Sequence, residues 1–379
     1  MDNRWAWVQI DKEAIRFNLK RFRKHLGPDV KIMAVVKADG YGHGAVQCAK
    51  TALATGATFL GVATVDEGIK LRQNDIAAPI LILSEPPLAS IPLLLQFKLI
   101  PTVYTMEFVL ALGEAADAQG HTVPFHLKVD TGMNRVGIHY SDAGDFLRTI
   151  NFHRGLELQG VFTHFATADD VDTFVFTQQL KRFEEALATI RYMGVDPGII
   201  HAANTAAAIR YRQSHYNMVR LGIGMYGLHP SEVTRSLMEL HPAMSVHARV
   251  NYLKPVAVGQ GVSYSHTYRS PGNVLIGTLP LGYADGVERI LSNRMDVLIK
   301  GKRFPQVGTI CMDMLMFEAN LRSSALNPRP ELEVGDEAII IGTSGAEQIS
   351  LDDMAQALGT INYELACRFG LRLERLFVE

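Results

Sequence analysis

One feature constrains the fold of this chain more than any other: a regular beat of short apolar runs that begins near residue 30. The runs are KIMAVV (31–36), FLGVAT (59–64), PILILS (79–84), LIPTVY (99–104), PFHLKV (124–129), LQGVFTHF (158–165), GIIHAA (198–203) and MVRLGIGMYG (218–227). Amphipathic stretches separate most of them. FTQQLKRFEEALATIRYMG sets Leu180, Phe183, Leu187 and Ile190 at helical spacing with charges opposite. Eight strand runs within roughly 200 residues predict an α/β chain that begins with a (β/α)8 barrel. A doubly wound sheet shows the same alternation, but the count and the continuous apolar strands favour the barrel.

The beat changes after Gly227. LHPSEVTRSLMELHP carries Pro230 and Pro242 and reads as a connection. Beyond it come closely spaced strand runs: SVHARVNYLKPVAVG, NVLIGTLPLGYADG, DVLIKGKRFPQVGTICMDMLMFEA and VGDEAIIIG. SLDDMAQALG reads as one helix capped by Ser350, with Asp353 three residues on. The expected organisation is a barrel over 1–235 followed by a mainly β domain over 236–379.

The partner classes are narrow. Lys+Arg of 37 against Asp+Glu of 39 leaves no basic surplus for nucleic acid or an anionic membrane. The greasiest stretch, Pro79 to Pro101, is broken by Glu85, Lys98 and prolines, so it is not a membrane helix. Cys48, Cys311 and Cys367 match no metal or redox spacing. With no leader-like apolar run at the N-terminus, a cytoplasmic location is expected.

A barrel of this kind carries its chemistry at the C-terminal ends of its strands. Strand 1 ends in Lys37, followed by ADGYGHG. Strand 5 ends in Lys128-Val129-Asp130, with Arg135 beyond. Strand 6 ends in Thr163-His164, strand 7 in His201 with Asn204-Thr205, and strand 8 carries Arg220 before Gly222-Ile223. Lys37 closes an apolar run, where a charge is costly to bury unpaired. An amine there can form a Schiff base, although a lone lysine at a strand end more often simply reaches solvent. Barrels of this class bind phosphate after strands 7 and 8, where Thr205 and the N–H groups of Gly222 and Ile223 stand. The lysine and the phosphate cradle together point to pyridoxal phosphate. Gly222-x-Gly224-x-x-Gly227 imitates a dinucleotide fingerprint but lacks the following helix and the spaced acidic residue.

At AVVKADGYGHG the chain resembles the alanine racemases, pyridoxal-phosphate enzymes of fold type III. The other matching motifs are WVQIDKEAIRFNL, LKVDTGMNRVGI, GVFTHFATAD, HAANTAA, NMVRLGIGMYGL, GVSYSHTY, LPLGYADGVER, VGTICMDM and INYELACR, in family order along nearly the whole chain. The resemblance implies that Lys37 carries the cofactor, and that Tyr41, Thr205, Gly222, Ile223 and Tyr363 hold its phosphate, with Asn204 in the same set. Arg220 would face the pyridine nitrogen, with His164 behind it. It implies a homodimer in which Tyr264 of the other subunit works on the face of Cα opposite Lys37. Arg135, Met312 (through its backbone) and Asp313 would meet the alanine substrate. Lys128 matches a lysine that is carbamylated in some members, turning a cation into an anion able to orient Arg135.

The chain departs from the family pattern at Thr205 (commonly Ser), Ser265 (Gly), Thr309 (Arg) and Met314 (Gln). A related racemase acting on Ser, Lys or Arg is the second reading. A cofactor-binding barrel without catalysis would not need the β domain, and a decarboxylase of the same fold would not need GVSY. A metal-dependent hydrolase using Asp130, His164 and His201 would need more ligands than the strand ends supply, so no metal is expected.

Overall fold

The structure is a computed structural model that describes residues 4–120, 122–150, 153–319 and 332–379. It divides into two compact units, Ala14–His241 and Met1–Glu13 with Pro242–Glu379.

Among the described residues the ring of the first unit has eight parallel strands: β1 (Lys31–Val35), β2 (Phe59–Val62), β3 (Ile80–Ile82), β4 (Ile100–Val103), β5 (Val123–Asp130), β6 (Leu156–Phe162), β7 (Ile199–His201) and β8 (Met218–Leu221), and a short extra strand, Ile138–His139, pairs in parallel with β5. Each strand of the ring falls on one of the eight apolar runs. Ladders join them in the order β8-β1-β2-β3-β4-β5-β6-β7. Asn217 N–H to Ile200 O (3.1 Å) and Arg220 N–H to Ala203 O (3.0 Å) link β7 to β8 and nearly close the ring. The strands are covered on both faces, which is why they read as continuous apolar runs. Met33, Phe59, Leu81, Ile100 and Met218 form one buried cluster contributed by five of the strands. Helix starts follow local chemistry. Thr64 caps Val65–Arg72 in a capping box with Glu67, and Thr105 caps Met106–Gln119.

The second unit is mainly β. Its larger sheet runs in the order 302–305, 296–299, 337–344, 244–249, 6–11, 374–378, and strand 347–349 pairs with 337–344. A three-stranded sheet joins 252–256, 274–279 and 315–318, and a short hairpin joins 261–262 to 268–269. The helix Leu351–Leu358 forms as expected, capped by Ser350 and closed by Gly359 in the left-handed conformation. The division differs from a cut at residue 235. Strand Ala6–Asp11 pairs antiparallel with Met244–Arg249 and parallel with Glu374–Val378, and Trp7 stacks on His247 at 5.3 Å. Residues 4–13 therefore belong with the β unit. Among the described residues no helix is long and apolar enough to cross a membrane.

Candidate active site

Lys37 follows β1 and opens a turn of unusual handedness. Ala38, Asp39, Gly40 and Tyr41 have φ of 51°, 50°, 67° and 54°. Each non-glycine residue in this region costs about 1–2 kcal/mol. Such strain persists only where the surroundings over-determine it, and it clusters at functional sites. Here Glu67 accepts N–H groups from Ala38 (2.6 Å) and Ala63 (2.7 Å), tying the exit of β1 to the exit of β2. Asp39 accepts from Ala45 N–H and pairs with Lys70. His43 Nδ1–H donates to the carbonyls of Gly40 and Tyr41. The turn holds Lys37 half-buried with its Nζ 6.0 Å from the Tyr41 ring centre.

Arg220 is buried (4% exposed) without a carboxylate partner among the described residues. Nη1 donates to His201 O and to His201 Nδ1, both at 3.1 Å. Nη2 donates to Thr163 O and Ala202 O at 2.8 Å and to His164 Nδ1 at 3.0 Å. Burial and the charge of Arg135 push the guanidinium down to about 9, so it stays charged at neutral pH. Arginine only donates, so both imidazole Nδ1 atoms must accept. His201 therefore carries its proton on Nε2 and donates to His126 Nδ1 (2.8 Å), and His126 Nε2–H donates to Gln159 Oε1 (3.2 Å). Burial holds all three histidines well below the usual imidazole range, His126 at about 4. A polar relay of fixed direction thus crosses the barrel interior. Every hydrogen bond of the Arg220 guanidinium runs through Nη1 and Nη2, and its Nε–H has no acceptor among the described residues.

Past β8, Gly222 opens the short turn Ile223–Tyr226, which no side chain caps. A Cβ on Gly222 would lie 2.5 Å from Tyr41 Oη, so only glycine lets that hydroxyl approach the start of the turn. Thr205 Oγ1 accepts Gly224 N–H at 3.3 Å, leaving its own proton to donate. Hydroxyls from Tyr41 and Thr205 and the amides that open this turn gather at one place, a donor set suited to a phosphate dianion. Asn204 caps the helix Thr205–Arg210 through Ala207 N–H and so sets the position of Thr205.

After β5, Asp130 Oδ1 accepts the N–H groups of Gly132 and Asn134 and shapes the loop that carries the exposed Arg135. Lys128, in register with Phe162, is 4% exposed with its Nζ 5.1 Å from that ring centre. Burial and the charge of Arg220 push its amine down to about 7.

The second unit holds the remaining expected residues. Tyr264 (68% exposed), Met312 (52%), Asp313 and Met314 line one concavity of about 750 Å³. Asp313 Oδ1 accepts from Arg372 at 2.6 Å, and Arg372 also pairs with the fully buried Asp285. The CMDM turn is tied down by Tyr283 N–H to Cys311 O and Ala284 N–H to Met312 O. Tyr363 sits on the helix Asn362–Arg368. Among the described residues no group of three or more His, Cys, Asp or Glu is placed to hold a metal ion. Sequence reasoning passed over Glu67, His126 and Gln159. Two signals were available: the T-x-x-E spacing at Thr64 and Glu67, and a histidine inside the otherwise apolar PFHLKV.

Comparison with known proteins gives a consistent result. Residues 10–230 match the family model of the alanine racemase N-terminal domain, and residues 243–377 that of the C-terminal domain. A curated alanine racemase of Nostoc sp. is 43% identical over 98% of this chain and 96% of its own length. The crystal structure of alanine racemase from Bacillus anthracis with bound L-Ala-P superposes with a TM-score of 0.92 at 40% identity, covering 99% of this chain and 95% of that one. A histidine racemase from Leuconostoc mesenteroides superposes with a TM-score of 0.90 at 29% identity, covering 100% and 99%. Both units are matched along almost their full length, and the chain belongs to the alanine racemase family of isomerases.

Proposed function

We propose that the chain is a pyridoxal-phosphate-dependent racemase that interconverts L- and D-alanine. The observation that carries this reading is the joint placement of a lysine on a strained turn, a buried arginine with an unengaged Nε–H, and an uncapped glycine turn flanked by two hydroxyls. These features fit pyridoxal phosphate. Lys37 would hold its aldehyde end, Arg220 its ring nitrogen, and Thr205, Tyr41, Gly222 and Ile223 its phosphate, the role also proposed for Tyr363. When bound, the cofactor supplies an electron sink that makes the substrate Cα–H acidic.

The rest of the chemistry falls to side chains of this chain. Arg220 would offer the ring nitrogen an N–H without giving up its proton, and so would weaken the sink and restrain side reactions. Racemisation needs a proton carrier on each face of Cα. Lys37 Nζ serves one face and Tyr264 Oη the other, each removing the proton in one direction and delivering it in the other. Arg135 and the backbone of Met312 receive the substrate carboxylate, with Asp313 beside them. Tyr264, Met312 and Met314 form an exposed aromatic and thioether face of the kind that marks an interface. This supports a homodimer in which that face completes the partner's barrel site.

Lys128 is proposed to be carbamylated. Near neutral pH much of its buried amine is uncharged and can add to CO2, losing a proton and becoming an anion beside Arg135 and Arg220. Enzyme equilibrated with ¹³C-bicarbonate should show one carbamate carbonyl resonance by NMR that Lys128→Met removes. A spectrum identical for the two proteins would refute the modification.

Substrate breadth is the point on which a second reading has support, because a relative of closely similar fold is a histidine racemase. Circular dichroism assays of L-Ala, L-Ser, L-Lys, L-Arg and L-His side by side test it. Alanine should lead in kcat/KM by at least about tenfold. A larger value for any other amino acid would make this a racemase of different specificity.

A further inference from the structure

We propose that Thr309 is a positioning residue for Tyr264, clamping the strained turn that presents it. The inference rests on the reading of Tyr264 as a proton carrier at Cα.

The turn is improbable on its own. Ser263 has φ 62° and ψ −169°, a region that is essentially glycine-only. Ser265 (φ 59°) and His266 (φ 44°) are also left-handed, so Tyr264 is flanked by three non-glycine residues in costly conformations. The Tyr264 side chain cannot stabilise this arrangement. It is 68% exposed and its hydroxyl makes no hydrogen bond among the described residues. The position of Oη is therefore set through the backbone.

Thr309, 3% exposed, grips the turn twice, once through the Ser263 side chain and once through the Tyr264 backbone. Its carbonyl accepts the Ser263 hydroxyl at 2.6 Å, and its own hydroxyl donates to Tyr264 O at 2.9 Å. The direction of the second bond is fixed because the Tyr264 carbonyl can only accept, and a chain of donors upstream is consistent with it. Asn293 Oδ1 accepts Gly308 N–H, so Asn293 Nδ2 must donate to Thr267 Oγ1 (3.1 Å). Thr267 then donates to Thr309 Oγ1 (3.3 Å), and Thr309 donates to Tyr264 O. Close approach of the two segments requires glycine at 308, where a Cβ would lie 2.6 Å from Val262 O. Thr309 thus does more than fill space, because it converts a buried polar chain into a fixed site for one tyrosine.

The test compares Thr309→Val, which keeps the shape and removes the hydroxyl, with Thr309→Ser, which keeps the hydroxyl. In Thr309→Val, kcat for alanine should fall roughly 10–100-fold with KM little changed. Solvent deuterium should enter Cα more slowly on the Tyr264 face and normally on the Lys37 face. Amide exchange across 263–267 should quicken in the enzyme before substrate is added. Thr309→Ser should recover all three properties. If Thr309→Val fails to fold, Ser263→Ala removes the other half of the clamp and should give the same face-selective loss. Wild-type kcat in the valine variant, or equal slowing on both faces, overturns the proposal. Tyr264→Phe is assayed alongside. If it remains active, the reading of Tyr264 fails and this inference fails with it. If it is inactive while Thr309→Val is normal, the clamp alone fails.

Discussion

Replacing Lys37 by alanine should abolish alanine racemisation in both directions, a loss of at least about 10⁴-fold in kcat, and should remove the visible absorbance band that pyridoxal phosphate would give when joined to the lysine. Both effects follow from one atom, Nζ. The strand that delivers it is buried, and the turn that follows is held by Glu67, Asp39 and His43. Truncation at Cβ should therefore leave the barrel folded, with an unchanged thermal midpoint. The donor set around Gly222, Thr205 and Tyr41 remains, so the variant can retain the cofactor loosely through its phosphate. A variant that keeps both absorbance and turnover would remove Lys37 from the mechanism.

Tyr264→Phe should cost roughly 10²–10⁴-fold in racemisation and leave stability within about 0.5 kcal/mol of wild type. The aromatic ring is retained, and the deleted hydroxyl makes no hydrogen bond among the described residues. Loss of activity is then a loss of chemistry and not of structure. The signature is asymmetry. In D2O one enantiomer of alanine should still exchange its α-proton through Lys37 while the other exchanges far more slowly. Equal slowing for both enantiomers would contradict two distinct proton carriers.

Much of the fold was legible because it is written in local periodicity. Each barrel strand falls on one of the eight apolar runs, and the Ser350 cap reads directly from spacing. The barrel rule also pointed to the strand ends at Lys37, Lys128, His164, Thr205 and Arg220. What escaped depends on partners distant in the chain. WVQID alternates as a strand should, but nothing local says that it pairs with residues 244–249 and 374–378. The Arg220–His201–His126–Gln159 relay joins side chains from four strands whose hydrogen-bond directions emerge only when donors and acceptors are counted together. Thr309 reads as the loss of a family arginine, and its hydrogen bond to Tyr264 O becomes visible only when the 263–266 turn is placed against it.

The central claim is that a working site needs Lys37 from one chain and Tyr264 from another. Co-expression of Lys37→Ala and Tyr264→Phe chains under different affinity tags tests it directly. Each variant alone should be inactive. A mixed dimer would pair the intact Lys37 of one chain with the intact Tyr264 of the other at one of its two sites. A statistical mixture should then recover roughly a quarter of wild-type activity, and the doubly tagged fraction about half. Activity no greater than the sum of the two variants would contradict a shared site and return both residues to a single chain.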